Sequence, residues 1–449
     1  MDDNPLPEDT MKKIVFADFH LHSKYSRATS ESMDIPSIVY NARLKGLGVL
    51  GTGDFTHPEW MNHLKLHLAQ IDNTGLYVTK SEQEIYFLAT AEVCTIFQFE
   101  EKTRKIHHLI LSPSLEVAEQ VSDRLATFGN LEEDGRPILK MSAPELVETV
   151  MEASEDNIVI PAHAWTPWFS LFGSINGFDS LDDCYQDEAK HISALETGLS
   201  SDPPMNWRLS ALDDLVLISN SDAHSPYPYR IGREANALSL AETTYGCVMD
   251  AVRRQGNSHL VFTIETEPAY GKYHWSGHRK CNFSVSAEQS KRLRGICPVC
   301  HRPLTLGVEE RVDDLADRKR GFRPHEAADF RHLLPLQEII AQVIGVNSEA
   351  STSVWNIYKD LIARFGNEYK ILLEATEREI ADTTDMSIAQ AILKVRNDEA
   401  VVIPGYDGVY GVLDLNATKA RDINQSTNSI RSQAYLTDFM PSKSAFSET

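Results

Sequence analysis

From residue 13 to about 262, short β-branched and apolar runs alternate with stretches of helical periodicity. KKIVFADF predicts a strand, IPSIVYNARLKG a helix with Pro36 in its first turn, and LGVLGTGD a second strand. NIVIPAH, HISALETG and DLVLISNSDAH predict further strands, each preceded by helix-like sequence. Such alternation implies an α/β domain over residues 1–262 with a mainly parallel sheet and its functional groups at the carboxyl ends of the strands. The texture then changes. Residues 263–325 are basic, aromatic and cysteine-bearing, and read as a small independent module. Residues 326–415 are mainly helical: STSVWNIYKDLIARFG puts Val354, Ile357, Leu361 and Phe365 on one face, with Ser or Thr to cap its start and Gly366 to end it. EAVVIPGYDGVYGVLDL predicts a hairpin about Gly405 to Gly408, and residues 416–449, rich in Ser, Thr and Asn, read as a flexible tail.

Length and charge bound the function. A chain of 449 residues with 42% hydrophobic content is long enough for two or three domains. It lacks a run of about 20 apolar residues and the charged-then-apolar order of a secretion signal, which predicts a cytoplasmic location. Of six cysteines, Cys94, Cys184 and Cys247 are scattered and read as ordinary buried residues. Cys281, Cys297 and Cys300 cluster as metal ligands do. A net charge of -22 argues against a nucleic-acid partner, yet Lys272 to Arg323 holds 12 Lys/Arg against 6 Asp/Glu. That segment is a candidate phosphate-binding face.

Chemistry-bearing residues recur where the predicted strands end. DFHLHSKYS carries His20 and His22 two apart, a spacing that on extended backbone sends both imidazoles the same way. GTGDFTHP adds Asp54 and His57, TAEVC adds Glu92, KIHHLIL adds His107 and His108, IPAHAW adds His163, and SNSDAHS adds Asp222 and His224. A lone histidine at a strand end is usually a satisfied polar residue, but the joint pattern is that of a metal site. The expected ligands are His20, His22, Asp54, His57, Glu92, His108, His163, Asp222 and His224, more than one ion uses. Two or three divalent ions (Zn, Mn or Mg) are implied, with Glu92 or Asp222 able to bridge, an arrangement suited to phosphoester hydrolysis.

The order HLHS, Asp54 to His57, Glu92, the His108 strand, His163 and SDAH resembles the PHP (polymerase and histidinol phosphatase) phosphoesterases, over some 210 residues. That resemblance implies a distorted (β/α)7 barrel. Two departures bear on a third ion: the usual Thr-Asp-His element is GDFTH here, and Lys24 and Ala28 stand where some relatives carry a further ligand. GTGDFTHPEW, ALETGLSSDPP, SDAHSPYPYRIGRE and the basic module from GKYHWSGHRKC to LADR further resemble the endonuclease Q family, up to the GYDGVYG hairpin. Membership implies a DNA-repair endonuclease that nicks 5′ to deaminated bases (uracil, hypoxanthine, xanthine) and abasic sites. Asp222, Glu92 and His163 are then the expected catalytic groups, with Arg230 and Arg233 on phosphate oxygens.

CPVC at 297–300, with Cys281 sixteen positions earlier, gives three ligands of a structural zinc. His278 is the expected fourth, with His274 and His301 as alternates. A flipped base needs aromatic support, for which Trp165, Trp168, Tyr227, Tyr229, Tyr406 and Tyr410 are candidates. QAYLTDFM spaces Gln433, Leu436, Phe439 and Met440 like a peptide that docks on a replication sliding clamp. Two rival readings are a PHP phosphatase of a small phosphate monoester, which needs no basic zinc module, and a DNA-binding scaffold without activity.

Overall fold

The computed structural model describes residues 14–81 and 84–415; the clamp-like peptide at 433–440 lies outside the described residues. Strands form where the apolar runs predict them: β1 (Ile14–Asp18), β2 (Val49–Gly51), β3 (Leu68–Gln70), β4 (Tyr77–Thr79), β5 (Tyr86–Phe99), β6 (Lys102–Ser112), β7 (Ile138–Leu139), β8 (Ile158–Pro161), β9 (Ala194–Glu196), β10 (Val216–Ile218), β11 (Ala235–Ser239) and β12 (His259–Glu265). Later strands are β13 (Ser276–His278), β14 (Phe283–Val285), β15 (Asp329–His332), β16 (Val401–Ile403) and β17 (Val412–Asp414). Among the described residues, eleven strands form one sheet along the path β15-β12-β11-β1-β2-β5-β4-β3, with β6 and β7 joined to β5 and β8 joined to β6.

The fold is mixed α/β, and its strand pairing differs from a parallel barrel. β1, β2 and β5 run parallel, but β1–β11, β11–β12, β5–β6 and β6–β8 are antiparallel. β9 and β10 pair only with each other. They form no ladder with the eleven-stranded sheet, and isolated contacts span the gaps. The Ala164 N–H donates to the Glu196 carbonyl at 3.0 Å, and the buried Asn236 amide donates to the carbonyls of Ser219 (2.7 Å) and Ala17 (3.3 Å). A ring of strand ends results without continuous backbone closure.

Helix boundaries follow their capping residues. The first helix, Ile35–Lys45, starts at Asp34, whose side chain accepts from the Ser37 N–H, and stops at Gly46, whose φ of 100° suits glycine. Thr352–Phe365 is capped by Ser351 and ends at Gly366. Its core face is Val354, Tyr358 and Leu361, with Ile357 only half-buried, one step round from the predicted stripe. The predicted hairpin forms as β16 against β17. β15, within the predicted helical region, pairs in parallel with β12 and so extends the N-terminal sheet. One apolar cluster runs from Leu50 and Phe87 through Val308 to Tyr358 and Ile392, joining the sheet to the C-terminal helices. No helix among the described residues is long and apolar enough to cross a membrane.

A buried ion pair holds this joint. Lys45 Nζ lies 2.7 Å from Glu368 Oε1, with both side chains almost fully shielded from solvent, and also donates to the Pro228 carbonyl at 2.9 Å. Glu368 further accepts from the Leu336 N–H at 3.0 Å and the Tyr358 hydroxyl at 3.1 Å. Lys45→Met leaves that carboxylate buried without its cation. Breaking such a pair costs about 3–5 kcal/mol; thermal unfolding of the variant is expected several degrees below wild type, and an unchanged melt contradicts the assignment.

Candidate metal centre

The site is assembled from the loops that follow β1, β2, β8 and β10 and from Glu92 and His107 within β5 and β6. His20 and His22 follow β1 in extended backbone; both are buried, and their ring centroids lie 5.3 Å apart. Gly53 lets the loop after β2 press against them: a Cβ there would stand 2.2 Å from the Leu21 carbonyl oxygen. Trp60 anchors the same loop by donating its indole N–H to the Gly53 carbonyl at 2.8 Å. Asp54, His163 and Asp222 all adopt positive φ (47°, 32° and 47°), a left-handed backbone that costs non-glycine residues energy and persists where surrounding contacts over-determine it. Behind His163, a Cβ on Gly198 would lie 2.6 Å from the His163 Cβ, so glycine keeps that histidine in place.

Two ligand groups share one carboxylate. Ligand atoms of His20, His22, Glu92 and Asp222 lie within 4.8 Å of one another, and so do those of Glu92, His107 and His163. Glu92 Oε2 faces His22 Nε2 at 3.3 Å and His20 Nε2 at 3.5 Å. Its Oε1 faces His107 Nδ1 at 2.7 Å and His163 Nε2 at 2.9 Å. Each oxygen therefore addresses a different group, the arrangement of a bridging carboxylate. The remaining nitrogens are oriented from behind. Glu196 lies 3.1 Å from His20 Nδ1 and accepts the His163 N–H at 2.7 Å. Asp54 lies 3.0 Å from His22 Nδ1 and accepts from the Ser23 N–H and the Ser23 and Ser26 hydroxyls. Such partners turn the opposite ring nitrogen toward a metal.

The donor set fits divalent cations. His20 Nε2 is buried with no hydrogen-bond partner among the described residues, an orphan that metal coordination satisfies. Burial raises the cost of charge on Glu92, yet His107 and Arg136 hold its pKa well below the usual carboxylate range. Asp222 is likewise lowered against its burial, by His22 and His20. Burial disfavours protonation of His20 and His22, but carboxylates outweigh it: Glu196 and Glu92 for His20, and Asp54, Asp222 and Glu92 for His22. A buried pocket with ionised carboxylates requires compensating positive charge.

Several predicted residues stand elsewhere. His108 is turned away from the cluster: its Nε2 lies 2.9 Å from Thr95 Oγ1, and its Nδ1 lies 2.9 Å from the Tyr185 hydroxyl. Burial pushes its pKa down to about 3. The correction to His107 follows from strand parity. β5 and β6 pair Cys94 with His107 and Val93 with His108, so His107 shares the face of Glu92, two residues from Cys94, while His108 takes the opposite face. Asp54 backs His22 instead of joining either group. His57 stands at the start of the helix Pro58–His67 without a side-chain capping bond, its ring stacked 4.5 Å from that of Tyr25. His224 flanks the cluster, 4.4 Å from the His22 ring, with Nδ1 3.0 Å from the Asp222 carbonyl oxygen.

The arginines after SDAH serve the protein itself. Arg230 binds Glu338 (3.2 Å) and Glu349 (3.1 Å), tying the SDAH loop to the C-terminal region. Arg233 donates twice to the Ser221 carbonyl, fixing the backbone just before Asp222. Two residues that motif reading passed over belong to the site: Glu196, the last residue of β9, and Arg136, which donates to Glu92 Oε2 at 3.2 Å. Exchange at adjacent positions separates the two histidines of β6. His107→Gln is expected to lower bound metal by about one ion per chain, whereas His108→Gln retains the metal and loses about 1–3 kcal/mol of stability through unsatisfied buried partners. Metal analysis of the two purified variants checks this, and the reverse outcome restores His108 as the ligand.

Farther along the chain, ligand atoms of His278, Cys281, Cys297 and Cys300 also lie within 4.8 Å of one another. His278 Nδ1 stands 3.1 Å from Cys281 Sγ and 3.2 Å from Cys300 Sγ, so the expected fourth member joins the three thiols. The positive surplus of this module is partly neutralised: Arg311 pairs with Asp179 at 2.6 Å and Arg318 with Asp213 at 2.5 Å, which dock the module, while Arg320 pairs within it with Glu309 at 3.0 Å. Among the aromatic candidates, Trp165 is buried with its indole on Asn206, which removes it from any base-stacking role. Trp168, Tyr227 and Tyr410 are exposed. Tyr227 stacks on Tyr229 and helps line a cleft of about 540 Å3 with Tyr40, Trp355 and Lys359.

A mixed α/β scaffold that gathers buried imidazoles and carboxylates about one shared glutamate is that of a metal-dependent hydrolase. Comparison with known proteins narrows the class. The structure superposes on the lesion-specific endonuclease PfuEndoQ of Pyrococcus furiosus with a TM-score of 0.80 and 33% identity, covering 92% of this chain and 99% of that one. It matches endonuclease Q in complex with a 27-mer duplex bearing an abasic lesion equally well, at 0.80 and 33%, covering 92% of this chain and 100% of that one. Residues 335–399 match the MJ0043 C-terminal domain family. The MJ0043 protein of Methanocaldococcus jannaschii is 32% identical over 267 residues, which are 57% of this chain; the chain spans 32% of that curated relative's length. The chain belongs to the endonuclease Q family.

Proposed function

We propose that this protein is a metal-dependent DNA endonuclease that nicks the phosphodiester 5′ to deaminated bases (uracil, hypoxanthine, xanthine) and to abasic sites. The observation that carries the reading is the division of Glu92 between two ligand groups, one oxygen to each. Divalent ions held by His20, His22, Glu92, Asp222, His107 and His163 would supply a water-derived nucleophile and neutralise charge on the phosphate. The chain's own part is orientation. Glu196 and Asp54 fix the ring faces of His20 and His22, and the left-handed backbone at His163 and Asp222 aims those side chains inward. Asp222, Glu92 and His163 carry the chemistry in this reading. A structural zinc on His278, Cys281, Cys297 and Cys300 stiffens the basic module, and damaged duplex DNA is the partner. Related endonuclease Q has been captured on an abasic duplex, which supports the same class of substrate here.

The test is cleavage of labelled duplexes that carry a single uracil, hypoxanthine or abasic site, with manganese, zinc or magnesium supplied. Cutting of lesion-bearing strands only, abolished in Asp222→Ala, is expected. Equal cutting of undamaged duplex, or release of phosphate from simple monoesters without nicking, overturns the proposal.

A further inference from the structure

Arg136 brings a fixed positive charge into the cluster that gathers metal ligands. Its guanidinium donates to Glu92 Oε2 at 3.2 Å, the same oxygen that faces His20 and His22. Cations gathered by these ligands repel it across a few ångströms of poorly screened space, so a fixed positive charge opposes loading of the site unless an anion lies between. The chain nevertheless holds this residue firmly. Asp134 caps the backbone N–H groups of Arg136 (3.1 Å) and Arg27 (3.3 Å). Gly135 donates to the Tyr25 carbonyl at 3.2 Å and accepts from the Thr56 hydroxyl at 3.3 Å. It also packs so close to Asp54 that a Cβ would fall 2.3 Å from Oδ2. Pro137 accepts the Cys94 N–H from β5 at 2.9 Å, just before β7 pairs with that strand. The segment is thus pinned to the loops after β1 and β2 and to the middle of β5.

One acceptor does not satisfy a guanidinium, which offers five N–H donors in a fork suited to phosphate. Among the described residues, Glu92 is the sole hydrogen-bond acceptor of the Arg136 side chain, which remains 26% exposed. We propose that Arg136 grips a non-bridging oxygen of the scissile phosphate, so that the substrate anion separates its charge from the bound cations and leaves Glu92 to bridge them. The inference rests on the endonuclease reading for the identity of the phosphate, but not for the presence of one. Arg136 is then a catalytic residue.

The experiment uses inorganic phosphate as the probe. Titration calorimetry of manganese-loaded wild type, Arg136→Ala and Arg136→Lys gives the phosphate affinity, metal analysis gives occupancy, and single-turnover cleavage of the abasic duplex gives the rate. Arg136→Ala is expected to weaken phosphate binding about tenfold or more and to slow cleavage about 100- to 1,000-fold, with metal content unchanged. Arg136→Lys recovers part of both. Phosphate affinity unchanged in Arg136→Ala, or loss of metal from it, overturns the assignment. The calorimetric result stands apart from DNA, so wild type that binds phosphate through Arg136 yet spares lesion-bearing duplex supports the assignment and refutes the endonuclease reading alone.

Discussion

Replacing Glu92 with Gln is expected to stop cleavage and to empty both ligand groups together. Gln matches the shape of Glu but lacks charge and turns an N–H2 toward one of the two groups. Because Oε1 faces His107 and His163 while Oε2 faces His20 and His22, neither group keeps its shared anion. Metal content attributable to this centre is expected to fall to fewer than one ion per chain, and turnover by about three orders of magnitude or more. His163→Gln is the informative companion. It removes one neutral ligand from one group and is expected to release a single ion. Equal loss in the two variants, or full occupancy in Glu92→Gln, contradicts a bridging role.

The second large effect is expected in the cysteine module. Its own buried core consists of Phe283, Val285 and Cys297, with Leu293 and Leu304 packed against them, too little apolar surface to hold a fold unaided. Structural zinc supplies about 10–16 kcal/mol to such small units, and that binding energy is folding energy. Cys297→Ser is therefore expected to lose one zinc per chain and to expose the module to protease. The damage should spread to the β16–β17 hairpin. Trp275 donates to the Gly405 carbonyl at 3.0 Å, Thr305 to Asp407 at 2.7 Å, and Gly408 to the Lys272 carbonyl at 3.0 Å. Limited proteolysis read by mass spectrometry is expected to show cuts near residues 279–302 and 404–411 while the N-terminal sheet survives. A variant that has lost its zinc yet stays protease-resistant shows the module to be held by packing alone, and one with wild-type zinc content removes Cys297 from the ligand set.

Much of this architecture was legible in the sequence because each strand announces itself locally. Apolar runs such as IVFAD and NIVIP end at polar residues, and the functional groups follow within a few positions, so His20, His22, His163 and Asp222 could be named without a fold. The choice between His107 and His108 could not be made that way. It depends on the register of β5 against β6, which is fixed by a tight turn at Glu100 and Glu101, both at positive φ (48° and 61°). Glu-Glu carries none of the Asn-Gly or Asp-Gly signal that marks such turns, so strand parity stayed hidden. Glu92 also lies in the middle of a long strand, not at an end.

Arg136 and the two arginines after SDAH illustrate the complementary difficulty. Arg136 arises from LEEDGRP, a polar loop whose sequence resembles any solvated turn; its place beside Glu92 comes from contacts with Tyr25, Thr56 and Cys94, far away along the chain. Arg230 and Arg233 stand next to a metal-site motif in sequence, yet their partners are Glu338, Glu349 and the Ser221 carbonyl. Proximity along the chain suggested phosphate, and tertiary packing supplied carboxylates to Arg230 and a backbone carbonyl to Arg233. The mixed pairing of the sheet has a similar origin, since strand direction and the separation of β9 and β10 from the main sheet come from long-range pairing and not from the apolar pattern of each run. Arg230 and the Lys45–Glu368 pair tie the C-terminal region to the SDAH loop and to the first helix.

Anomalous diffraction from crystals grown with manganese, recorded at the metal's absorption edge, tests the central claim most directly. Two peaks are expected, one on each side of the Glu92 carboxylate, the first among His20, His22 and Asp222 and the second against His107 and His163. A single peak, or density that leaves Glu92 bound to only one ion, contradicts it.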